Sequence, residues 1–182
     1  MKLNKVRPLL IIILAAGKGK RMNSDIPKVL HQINGTSMIS RVIETSLLLD
    51  PKKIVVVTGH KRKMVEESTR NYNVNFEHQK NQKGTAHAVM QCIEHLKNFN
   101  GDVLVLCGDV PNITAKSLKS LLNIHTKNNT EASLLSALIK EPYGYGRIIR
   151  KNNQIVKIVE QKDASDIEKK VKEINSGIYI FK

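Results

Sequence analysis

Short apolar runs alternate with longer, mixed stretches along the chain, and the two kinds differ in period. Residues 9–14 are apolar without interruption and rich in Ile, the pattern of a short strand buried on both faces. Residues 53–57 (KIVVV), 74–77, 102–106 (DVLVL) and 132–139 repeat that signal. Between them lie helical stretches. Residues 37–49 place Met38, Val42 and Leu49 near one stripe, with Thr36 or Ser37 as the cap. Residues 61–72 predict a polar helix, 85–96 another, and 114–126 a third with Thr114 as its cap. Strands and helices alternating at this rhythm indicate right-handed βαβ units and an α/β fold, a Rossmann-like, mostly parallel sheet flanked by helices.

The rhythm changes after Lys140. The stretch YGYGRIIRKNNQIVKIVEQ predicts a hairpin turning at KNNQ, residues 162–172 are charged and either helical or loose, and EINSGIYIFK is a final strand. There is no internal repeat, low-complexity tract or linker, so residues 1–182 are expected to form one domain. The chain stops directly after a strand, which is an unusual place for a domain to finish.

Composition narrows the function classes. With 41% hydrophobic residues, 182 residues can bury a core without staples. Cys92 and Cys107 lack paired spacing, which argues against a disulfide framework or a zinc cluster and fits a reducing, cytoplasmic setting. No apolar run approaches the roughly 20 residues that span a bilayer, so no membrane is expected. Thirty basic against 16 acidic residues give a net charge of +14. Such a balance is either a solvated lysine surface or the mark of an anionic partner, nucleic acid or a phosphorylated small molecule. The lysines are scattered and only four Tyr and three Phe can stack bases, so no specific nucleic-acid site is expected. The six histidines are scattered too; His87 and His95 could share a helix face, but nothing completes a ligand set around them.

The first strand runs into LAAGKGKRMNSDIPKVL. In open parallel sheets, ligands bind beyond the carboxyl ends of the strands. Gly17 and Gly19 permit close backbone approach and unusual torsions, and their amides can form an anion-binding nest. Lys18, Lys20, Arg21 and Lys28 add positive charge, Arg21 as a two-pronged donor and Lys28 as a point charge. The loop is neither a Walker loop nor a dinucleotide fingerprint, since Met22 stands where the third glycine would be. A second reading exists. Lys2, Lys5 and Arg7, the apolar run, and then Ala15, Ala16 and Gly17 have the layout of a secretory leader.

The whole string resembles the signature of sugar-phosphate nucleotidyltransferases, L-A-A-G-x-G-x-R-M followed by P-K. A leader has no use for Arg21, Pro27 and Lys28 at those positions. Further segments, PKVLHQINGTSMI, QKNQKGTAHAV, VLVLCGDVPNI, YGYGRIIR, IVKIVEQKDAS and EINSGIYIF, resemble N-acetylglucosamine-1-phosphate uridyltransferases in order and spacing across nearly the whole chain. The resemblance implies a nucleotide-diphospho-sugar transferase fold and a magnesium-dependent reaction of UTP with N-acetylglucosamine 1-phosphate that releases pyrophosphate. It also implies roles. Leu14, Ala15, Ala16 and Gly17 would wrap the nucleotide, and Arg21 and Lys28 would hold the triphosphate as the catalytic cations. Gln79, Gly84 and Thr85 would read uracil, since a glutamine amide with backbone groups satisfies both its N–H and its carbonyl. Asp109 would hold Mg²⁺. Cys107, Gly108, Gly146, Glu160 and Asn175 would bind the sugar.

Two departures from the family pattern stand out. The family usually has tyrosine where this chain has Cys107, here expected to be a packed strand-end thiol. Its domain also continues beyond the length of this chain, which supplies a second, asparagine metal ligand, and a β-helix acetyltransferase domain follows that builds the trimer; the domain here is therefore expected to be C-terminally truncated. The alternatives are a degenerate nucleotide-binding module held by charge alone, and a related sugar-phosphate or cytidylyl transferase.

Overall fold

The computed structural model describes residues 7–19 and 22–182. The first strand, β1 (Leu9–Ala15), has six of its seven residues buried, because every position faces protein on one side of the sheet or the other. Side chains alternate across a strand, so β1 feeds two cores. Leu9, Ile11, Ile13 and Ala15 belong to one, Leu10 and Ile12 to the other.

After a 3₁₀ turn (Lys28–Leu30) come a two-stranded hairpin, β2 (Gln32–Ile33) with β3 (Thr36–Ser37), and helix α1 (Met38–Leu47). The hairpin was not expected, although Asn34-Gly35, both at positive φ, is the usual signal of such a turn. Ser37 caps α1, its Oγ accepting from the Ser40 amide at 3.2 Å. The helix lays Ile39, Val42 and Ile43 on the first core. Strand β4 (Lys53–Thr58), helix α2 (Arg62–Ser68) and strand β5 (Asn75–His78) follow. The polar helix expected over 61–72 is shorter because Thr69 turns back, its hydroxyl donating to the Val65 carbonyl at 2.8 Å.

The single helix expected over 85–96 is two, α3 (Thr85–Met90) and α4 (Ile93–Leu96). The Gln91 side-chain amide takes the His87 carbonyl at 2.8 Å, and the Gln91 and Cys92 amides tighten to the carbonyls three residues back. The kink drops Cys92 into the second core beside Ala88. His87 and His95 therefore lie on different helices.

Strand β6 (Asp102–Cys107) and helix α5 (Ala115–Asn128) are as expected, with Thr114 capping α5 by accepting from the Ser117 amide at 3.2 Å. Then come β7 (Ala132–Leu138), β8 (Arg147–Lys151), β9 (Gln154–Val159), α6 (Asp166–Lys169) and β10 (Glu173–Phe181). The β8–β9 hairpin turns on Asn152 and Asn153, both at positive φ. Among the described residues, no helix is long and apolar enough to cross a membrane.

The main sheet runs β5-β4-β1-β6-β10-β8-β9, with β7 on the free side of β10. The core, β5-β4-β1-β6, is parallel. Strand β10 inserts antiparallel between β6 and β7, so β7 keeps the direction of the four parallel strands without pairing with them. The sheet is therefore mixed, with a parallel core.

Glu173 joins the antiparallel strands. Arg150 of β8 donates to both its oxygens at 2.8 Å, and Ser136 of β7 donates to Oε1 at 2.6 Å. The Arg150 bonds chiefly hold its carboxyl down at about 2, from an ordinary 4.5. A depressed folded value stabilises the fold above pH 4.5 and loses that contribution as pH falls toward 2. Urea unfolding of Glu173→Gln is therefore expected to show lower stability than wild type at neutral pH, with the gap closing as pH falls from about 5 to about 3.

Candidate active site

The carboxyl ends of the parallel strands open onto one cavity of about 1000 Å³. Its walls take Leu14, Ala15, Ala16, Gly17 and Gly19 from the end of β1 and the turn after it, and Lys28 and Val29 from the 3₁₀ turn. Gln79, Gln82, Gly84 and Thr85 come from the loop after β5 and the start of α3, Cys107 and Asp109 from the end of β6, and Tyr143, Gly144 and Tyr145 from the loop before β8. Leu14, Ala15, Ala16, Gly17, Lys28, Gln79, Gly84, Thr85, Cys107 and Asp109, all expected from sequence, thus share one space. Arg21 and Lys20 lie outside the described residues.

The first turn depends on Gly19. It sits at φ +59, and a Cβ there would come within 2.7 Å of the Lys28 Cβ. Gly17, which permits an unusual torsion, does not adopt a positive φ, and a Cβ on it would meet nothing within 4 Å. Lys28 Nζ donates to Asp109 Oδ2 at 2.6 Å. This pair joins the first loop to the end of β6. Its side chains are 40% and 34% exposed, open enough to turn toward a ligand.

Gln79 is buried rather than a solvent-facing loop residue, and its amide nitrogen lies 3.0 Å from both the Gly84 carbonyl and His87 Nδ1. Gln82 donates to the Gln79 carbonyl at 3.1 Å, which ties the loop to itself. Burial pushes the Cys107 thiol up to about 11; the Asp109 charge adds to this and Lys28 opposes it. Its Sγ contacts the Gly177 carbonyl at 3.7 Å, so Cys107 is a packed strand-end thiol.

The remaining sugar-site candidates do not line this cavity. Gly108 donates to the Leu14 carbonyl at 2.9 Å and holds the end of β6 against β1. Gly146 makes room for Glu160, whose Oε1 would be 3.1 Å from a Cβ there. The Asn175 amide donates to the Gly146 carbonyl at 2.9 Å, while its Oδ1 accepts from the Gly177 amide at 3.0 Å across the β10 bulge. Gly146, Glu160 and Asn175 thus neighbour one another next to the Tyr143–Tyr145 loop, apart from Gly108. Arg147, fully buried, secures that loop through the Tyr145 carbonyl and through Gln161 Oε1 at 2.6 Å. The two tyrosines belong to the quoted YGYGRIIR segment, but nothing in their spacing marks them as cavity walls.

A second cavity, of about 820 Å³, lies at the amino ends of the same strands. Two carboxylates, Asp50 and Asp102, line it, and Asp102 is engaged by Arg7 at 3.1 Å. It lacks a glycine turn and lies at the wrong end of the strands for nucleotide binding in an open sheet.

Three comparisons bear on this site. A family model described as the MobA-like NTP transferase domain matches residues 11–152. The bifunctional protein GlmU of Streptococcus sanguinis (strain SK36) is 48% identical over 171 residues, which cover 93% of this chain and 37% of that protein. GlmU of Streptococcus pyogenes serotype M6 is 47% identical with the same coverage. The chain thus spans just over a third of the length of these curated relatives, matching their N-terminal part. Among solved structures, a UDP-glucose pyrophosphorylase complexed with UDP-glucose superposes with a TM-score of 0.76 at 20% identity, over 96% of this chain and 76% of that one. A glucose-1-phosphate thymidylyltransferase of Bacillus anthracis, described as putative, gives 0.73 at 22%, over 95% and 71%. Both show the fold.

Cys107 at about 11 and Cys92, pushed up by burial to about 12, carry almost no thiolate near neutrality. Iodoacetamide at pH 8 is expected to label both far more slowly than free cysteine, and denaturation is expected to remove the difference. Mass spectrometry of the two peptides measures it.

Proposed function

The chain belongs to the MobA-like NTP transferase domain family, and from that premise we propose that it transfers a uridylyl group from UTP to N-acetylglucosamine 1-phosphate, releasing pyrophosphate. The observation that carries this reading is the convergence of the Lys28–Asp109 pair, the first glycine turn and Gln79 on one cavity. The likeness to GlmU over 93% of the chain supports the sugar and the nucleotide named here.

An oxygen of the sugar phosphate attacks the α-phosphorus of UTP, and the bond from that phosphorus to the bridging oxygen of the β-phosphate breaks. The nucleophile is already an anion, so no general base is needed. What the site must do is bring two polyanions together and hold the spread negative charge. Lys28 Nζ, in the cavity wall beside Asp109, would supply part of the positive charge this needs. Binding of a triphosphate would draw it from Asp109 toward phosphate oxygens, at little cost, because the pair is partly solvated. Arg21 enters this reading from the sequence motif alone.

The donor set fits a magnesium ion shared with the substrate. No group of three His, Cys, Asp or Glu among the described residues gathers to hold a metal alone, and magnesium takes one or two carboxylates with phosphate oxygens and water. Asp109 would hold it, and the ion would supply charge neutralisation on the phosphates. Gln79 and the Gly84–Thr85 backbone would seat the uracil. Cys107 and the Tyr143–Tyr145 loop would border the sugar.

A pyrophosphate-release assay with UTP and N-acetylglucosamine 1-phosphate tests the proposal, beside a thermal-shift titration. UTP is expected to raise the melting temperature only with magnesium, and CTP and ATP are expected to leave it unchanged. Asp109→Ala is expected to lower the rate at least about 100-fold. Full activity in that variant would remove the metal assignment, and no shift at saturating UTP with magnesium would remove the uridylyl reading.

A further inference from the structure

The environment of Gln79 decides which of its amide atoms a ligand meets. Its Nε2 lies 3.0 Å from the Gly84 carbonyl oxygen, and a carbonyl only accepts, so the NH₂ end must face it. The second amide hydrogen then points to His87 Nδ1, also at 3.0 Å. That nitrogen must accept, which puts the imidazole proton on Nε2.

Gln91 does not compete for this lone pair. Its Nε2 stands 3.4 Å from His87 Nε2 but already donates to the His87 carbonyl at 2.8 Å. A neutral imidazole has one acceptor nitrogen, so only one of the two amide contacts is a hydrogen bond. The shorter contact, to Gln79, takes it. With both Nε2 hydrogens spent, Oε1 is the polar atom that Gln79 has left for the cavity it lines.

We propose that His87 is a positioning residue that sets base selectivity: it locks the Gln79 amide so that only a base offering a ring N–H is accepted. The inference rests on the uridylyl reading above and deepens it. Uracil presents N3–H between two carbonyls, which suits an amide oxygen. Cytosine presents a bare N3, so two lone pairs would face each other, and a site built for one pattern rejects the other strongly. Thymine shares the uracil edge, so dTTP passes this filter. If His87 could not accept, the Gly84 carbonyl alone would orient the amide, and Nε2 would keep one hydrogen free to offer to a cytosine N3. Part of the selectivity is therefore held by a residue outside the cavity wall. A lone histidine on a helix gives no sign of that in sequence.

Calorimetric affinities for UTP, dTTP and CTP with magnesium test this in wild type, His87→Leu and His87→Asn. Leucine fills the space without an acceptor, whereas asparagine returns an oxygen at the position of Nδ1. The UTP-to-CTP affinity ratio is expected to fall about tenfold or more in His87→Leu, the worth of one buried hydrogen bond. It is expected to return to near the wild-type ratio in His87→Asn, with dTTP following UTP throughout. Long-range ¹H–¹⁵N NMR of the wild-type protein reads the tautomer without any substitution, and the Nε2–H form is expected. A wild-type ratio retained in folded His87→Leu, or an Nδ1–H tautomer, would overturn the inference and leave the uridylyl reading standing. Equal wild-type affinity for UTP and CTP would overturn both.

Discussion

Burial of β1 on both faces is the constraint from which the rest of the architecture follows. A strand flanked by β4 and β6 and covered above and below has no face on which to carry polar side chains. Polar chemistry is expelled to its ends, and in a parallel core the ends of neighbouring strands coincide. The turn after β1, the loop after β5 and the end of β6 therefore meet without any one of them specifying the meeting. The same logic makes Gly19 and Gly108 close-approach positions, because backbones that converge at a strand end leave little room for side chains.

The site assembled there is electrostatically simple. Lys28 and Asp109 neutralise each other in the cavity wall, and each is partly exposed, which would let it exchange its partner for phosphate or metal in the proposed reaction. The arrangement suits a reaction whose nucleophile needs no activation and whose difficulty is charge. Around this pair the cavity walls are tied differently on each side: the Gln79 loop by amide hydrogen bonds, and the Tyr143–Tyr145 loop by the buried Arg147 through its neutral acceptors. The scattered lysines, part of a net charge of +14, give the molecule a general positive field that favours the approach of anions.

Much of the fold was legible because it is written locally. The alternation of buried strands with capped helices located β1, β4, β6, α1 and α5, and the Asn152-Asn153 turn showed itself by residue type. Elements went astray where a side chain intervened in the backbone pattern. Gln91 broke a helix that periodicity alone would continue, and Thr69 ended another early. The Asn34-Gly35 hairpin carried its signal openly and was missed between stronger neighbours. Of the site, Gly17, Lys28, Gln79 and Asp109 could be singled out only through the resemblance of whole segments to a family, because each residue type taken alone suits an ordinary surface turn, lysine, loop amide or ion pair.

What the chain by itself determined was the parallel α/β core, with a glycine turn after its first strand, since burial period and turn torsions depend on residues close in sequence. Tertiary structure alone decided that Lys28 meets Asp109 across 81 positions, that β10 wedges between β6 and β7, and that Gln79 spends its amide hydrogens on Gly84 and His87. Those outcomes follow from closing the whole sheet at once, and the free energy that closes it is spread over every buried residue rather than held in any short stretch.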